Sequence, residues 1–71
     1  MKTVWDRLKD DYKKEFEIFI EKYPAIGIHL KKLLKEEVSI LHINLIDCMD
    51  LCDATNVGPF EYVKYINLFE D

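Results

Sequence analysis

At 71 residues, with 49% hydrophobic and 34% charged side chains and only two Gly and two Pro, the chain reads as one globular domain spanning residues 1–71. Its density of Ile, Leu, Phe and Tyr excludes disorder, but a domain this small buries only about 60% of its unfolded surface and is marginal without staples or partners. A net charge of −4 excludes non-specific nucleic-acid binding, which needs a field of Lys and Arg to displace counterions.

The first predicted element is a helix over residues 3–22. Thr3 is its N-cap, and Asp6, Asp10 and Asp11 lie near the positive end of the dipole. Trp5, Leu8, Tyr12, Phe16, Phe19, Ile20 and Tyr23 share one face. Pro24 ends this helix, because the residue before a proline is pushed out of the α region. It also opens the next, where its missing N–H costs nothing.

From there Ile26, Leu30, Leu33, Leu34, Val38, Leu41, Leu45, Cys48, Met49 and Cys52 hold a single helical phase. The pattern predicts one long helix, or two nearly collinear ones broken near Val38–Ser39 with Ser39 as the new cap. Gly27 weakens the first turn by about 1 kcal/mol relative to Ala. The rival is a strand over residues 38–45, which are β-branched and partly alternating. Helix is preferred because residues 47–53 continue the phase and carry no strand pattern. A break follows at 53–59, where Asn56 and Gly58 tolerate positive φ and Pro59 restarts the chain.

The last predicted helix covers about residues 59–70. Its polar residues Glu61, Lys64 and Asn67 are three apart and occupy an arc of about 120°. Phe60, Tyr62, Val63, Tyr65, Ile66, Leu68 and Phe69 cover the rest, about twice what one neighbour can bury. That surplus predicts a second interface. The fold expected is all-α: a helical hairpin with a C-terminal helix, three to four helices in all. Its core is Trp5, Leu8, Phe16, Phe19, Ile20, Leu30, Leu34, Leu41, Leu45 and Cys48.

Chemistry is thin in this sequence. Cys48 and Cys52 form a single C-x3-C without the second Cys/His pair that structural zinc needs. They read as small core hydrophobes, reduced in a reducing compartment. Neither His29 nor His42 has a nucleophile and an orienting acid at useful spacing, so no enzyme, metal or cofactor is expected. Asp47, Asp50 and Asp53 line one helical edge and lack the glycine and glutamate of a calcium loop. Lys31, Lys32 and Lys35 form a basic cluster blunted by Glu36 and Glu37. With Arg7 the only arginine, direct DNA readout is not expected. Ile18, Ile43 and Ile46 project from polar faces, and the last two extend the apolar patch.

Charge is unevenly spread. Residues 1–46 carry nine Lys/Arg against eight Asp/Glu, whereas residues 47–71 carry Lys64 against six acids. The acidic end favours a basic or DNA-binding protein partner. No apolar run is long enough to span a bilayer, and no basic-then-apolar leader opens the sequence, so a cytoplasmic protein is expected. The function expected is a small non-enzymatic interaction module, a regulator or inhibitor that binds a larger protein and also homodimerises. The candidate contact residues are Phe60, Tyr62, Tyr65, Phe69, Asp47, Asp50 and Asp53. The alternatives are an acidic nucleic-acid mimic that blocks a DNA-binding protein, or a structural subunit of an assembly.

Overall fold

The computed structural model describes residues 1–70 and is all-α, with five helices and no strand element among the described residues. The short α1 (Val4–Arg7) is started by a capping box. Thr3 Oγ1 accepts from the Asp6 N–H at 3.4 Å, and the Asp6 carboxylate accepts from the Thr3 N–H at 2.9 Å. Each side chain satisfies a backbone donor that the first turn would otherwise leave open.

The helix expected over 3–22 is in fact two. Leu8 and Lys9 are extended, and α2 begins at Asp10 and runs to Lys22. No Gly or Pro marks this break. Its cause is the distant C-terminal segment: the Lys9 N–H donates to the Leu68 carbonyl at 2.9 Å, and the Glu70 N–H donates to the Arg7 carbonyl at 2.7 Å. This single antiparallel bridge between Leu8 and Phe69 replaces intrahelical bonds and buries Leu8, Leu68 and Phe69 together.

Pro24 divides α2 from α3 (Pro24–Glu36) as the sequence predicts, and it occupies the first helical turn. The contacts Gly27 with Ile20 and Lys31 with Glu17 make the two helices an antiparallel hairpin. Trp5 caps this hairpin, edge-on to Phe16 with ring centroids 5.5 Å apart. The ammonium groups of Lys13, Lys31 and Lys35 lie 5.0–5.9 Å from its centroid, within cation–π range.

The long middle helix does not form. The chain leaves α3 at Glu37, whose extended carbonyl accepts from the Val4 N–H at 2.7 Å. Ser39 then caps a 3-10 turn over Ile40–His42, close to the predicted break. Asn44 Oδ1 accepts from the Asp47 N–H at 2.9 Å and starts α4 (Leu45–Ala54). Because α4 folds back against both α2 and α3, it is not collinear with α3. The strand alternative for 38–45 is likewise absent. A Schellman motif ends α4: Val57 N–H bonds Cys52 carbonyl at 3.1 Å and Asn56 sits at φ 62°. Gly58 comes next at φ 84°.

Instead of residues 59–70, the last helix, α5, is only Tyr62–Ile66. The residues beyond it are diverted into the bridge with Leu8. The core holds Val4, Leu8, Phe16, Leu30, Leu34, Ile43, Cys48, Leu51, Cys52, Ala54, Tyr65, Leu68 and Phe69. Trp5, Phe19 and Ile20 pack against it half-buried. Leu41 and Leu45, expected in the core, are exposed instead. The extended residues and the 3-10 turn between α3 and α4 reset the α-helical phase and turn that stripe outward.

Candidate interaction surface

The seven apolar residues between 60 and 69 do not form one outward surface. Tyr65 is 1% exposed and Phe69 is also buried. Their rings meet edge-on at 5.3 Å, and the half-buried Phe60 ring lies 6.3 Å from Tyr65. Of the predicted contact aromatics only Tyr62 is substantially exposed, at 56%, together with its neighbours Val63 and Ile66. The surplus of apolar surface on this helix is thus partly used by the core.

The three aspartates separate in the same way. Asp47 sits at the first turn of α4 with its side chain 12% exposed, and its Oδ1 is 3.5 Å from His29 Nε2. It lies against α3 rather than facing solvent. Asp50 is half-buried and Asp53 is exposed. His42 lies 3.5 Å from Glu37 across the 3-10 turn. Lys64 lies 4.0 Å from Glu61.

Further exposed apolar side chains lie elsewhere. Leu41, Leu45, Ile46 and Met49 are 77%, 62%, 70% and 45% exposed. At 100° per residue, Leu45, Ile46, Met49, Asp50 and Asp53 fall within an arc of about 140° on the outer face of α4. On this face the aliphatic residues precede the acidic ones along the chain. Ile46 is the misfit that the sequence identifies, while its companion Ile43 is buried. Leu45 and Met49 escape the sequence pattern as surface residues, because a single long helix assigns them to the apolar stripe. The signal that reveals them is Asn44, an N-cap residue with Asp47 three positions later. Recognising it restarts the helical phase.

Beneath this face lies a buried group of polar side chains. Cys48 and Cys52 are free thiols on the inner side of α4. Burial raises both thiol pKa values, that of Cys52 to about 11. The Tyr65 hydroxyl beside them has no hydrogen-bond partner among the described residues, and burial is the main cause of its raised pKa. Such thiols are poor nucleophiles and poor metal ligands, because both roles need the thiolate. Among the described residues, no cluster of three or more His, Cys, Asp or Glu is arranged to hold a metal ion. No helix is long and apolar enough to cross a membrane among those residues. No protein-family model matches this chain, and no curated protein or solved structure matches it either.

Proposed function

We propose that this chain is a small non-enzymatic protein-interaction module, a cytoplasmic regulator or inhibitor that binds a larger protein. The observation that carries the reading is the outer face of α4, where exposed Leu45, Ile46 and Met49 adjoin the carboxylates of Asp50 and Asp53. Scattered surface hydrophobes need no explanation, but a contiguous aliphatic patch with a charged border has the composition of a contact site. Tyr62, Val63 and Ile66 of α5 are exposed apolar side chains as well. The acidic border suits a partner with a basic rim, which would be steered by charge and anchored by apolar burial. Self-association is part of this reading. A nucleic-acid mimic is less well supported, because Asp47 is engaged with His29 and leaves a sparse acidic edge.

The test is capture of partners from native lysate on the immobilised chain, then binding measurements with variants. At least one of Ile46→Ala, Met49→Ala and Tyr62→Ala should weaken binding by about 2 kcal/mol or more. Asp50→Lys and Asp53→Lys should instead slow association and flatten its salt dependence. Tyr65 and Phe69 are unsuitable probes, since truncating core aromatics unfolds small domains. Folded variants that all bind like the parent would remove this surface from consideration.

A further inference from the structure

On the other side of the hairpin, α2 and α3 enclose an open groove of about 450 Å³, lined by Glu17, Ile20, Ile28, Lys31, Lys32, Lys35 and Glu36. Its walls are aliphatic at Ile20 and Ile28, and beyond them three lysines stand against two glutamates, Glu17 and Glu36. Lys31 donates to Glu17 at 2.9 Å, while Lys32 and Lys35 have no ion pair among the described residues. The groove thus carries one net positive charge and the α4 face two negative ones, and both surfaces have an aliphatic part.

They also agree in length and order. From Ile28 to Lys35 and from Leu45 to Asp53 the helices each advance about 10–12 Å at 1.5 Å per residue. Along each, aliphatic residues come first and charges after them. Ile28 precedes Lys31, Lys32 and Lys35, just as Leu45, Ile46 and Met49 precede Asp50 and Asp53. A parallel alignment sets aliphatic against aliphatic and lysine against aspartate.

We propose that the groove takes the outer face of α4 from a second copy of this chain, so that copies associate head to tail. The proposal rests on the reading of the α4 face as a contact surface, but its test requires no third protein. A symmetric contact between two α4 faces is the poorer arrangement. Run parallel, it opposes like charges; run antiparallel, it buries Asp53 against Leu45 or Ile46, and both arrangements are unfavourable. Because groove and face are different surfaces, the contact is heterologous. Each added copy leaves one groove and one face open, and growth continues until a ring closes.

Sedimentation equilibrium or light scattering of the whole chain tests this. At tens of micromolar, the mass should rise with concentration past twice the 8.5 kDa of one chain. Apparent association should fall at least about tenfold between about 50 mM and about 500 mM salt, as screening shortens the reach of the lysine–aspartate attraction. The decisive comparison uses a groove variant, Ile28→Glu with Lys32→Glu, and a face variant, Ile46→Glu. Ile28 and Ile46 are 61% and 70% exposed, and Lys32 is exposed as well, so the core is untouched. Circular dichroism verifies folding, and Met49→Glu replaces the face variant if Ile46→Glu misfolds. Each variant alone should be monomeric, and their equimolar mixture should form a one-to-one complex that does not grow. A monomeric parent, a groove variant that associates like the parent, or a mixture that stays monomeric would each overturn the proposal. The second of these would indicate symmetric pairing of α4 faces, and none of the three bears on binding to a different protein.

Discussion

Gly27 illustrates how a residue's role can reverse once its neighbours are known. By helix propensity alone, Ala at this position should stabilise by about 1 kcal/mol. In the hairpin, however, a Cβ on Gly27 would stand 2.7 Å from Ile20 Cγ1 and 2.9 Å from Ile20 Cα. The second contact is with backbone, so rotating a side chain cannot relieve it. Gly27→Ala should therefore destabilise by about 1–3 kcal/mol, the usual cost of overpacking. Urea denaturation would measure it, and a stabilised variant would mean that α2 and α3 pack less closely than described. No feature of the sequence around Gly27 indicates this close approach, because it depends on a residue seven positions away in a different helix.

At the scale of elements, the caps are legible in the sequence and the helix lengths are not. Thr3, Pro24, Ser39 and the Asn56–Gly58 break all act where local chemistry puts them, since each satisfies or withholds a backbone group within a few residues. The interruption at Leu8–Lys9 has no such local cause. Lys9→Pro distinguishes the two arrangements. In an uninterrupted helix over residues 3–22, proline at this point would cost about 3 kcal/mol or more. In the observed fold Lys9 already has φ −63°, which suits proline, and Leu8 is extended as a pre-proline residue prefers. The loss is then confined to the Lys9–Leu68 hydrogen bond and its neighbourhood, about 1–2 kcal/mol. Thermal or urea unfolding of Lys9→Pro reads this difference directly.

For the molecule as a whole, the buried thiols link stability to alkaline pH. The folded state holds the Cys52 pKa at about 11, above the ordinary thiol value of 9.0, because burial disfavours the thiolate. Between these values the unfolded chain has released a proton that the folded chain retains. Stability is therefore fully present below about pH 9 and declines as pH rises toward 11. Cys52→Ala should cost about 1–2 kcal/mol near neutral pH through lost burial, yet lose less than the parent between pH 9 and 11. Denaturant midpoints across this range check both signs. A variant as steep as the parent would assign the slope to Cys48 and Tyr65 alone.

Periodicity and backbone chemistry within a turn or two are enough to specify the all-α class, the α2–α3 hairpin about Pro24 and the apolar environment of the cysteines. They also reveal more apolar surface than a chain this short can bury. Which apolar residues face outward is set by tertiary contacts instead. Two long-range backbone contacts, Glu37 with Val4 and Leu68 with Lys9, remove residues from helix and shift the phase of the segments beyond them. They turn Leu41 and Leu45 out while Tyr65 and Phe69 turn in. A helical stripe keeps its meaning only while the helix is unbroken, and hydrogen bonds between segments some 30 to 60 residues apart leave no periodic trace in the sequence.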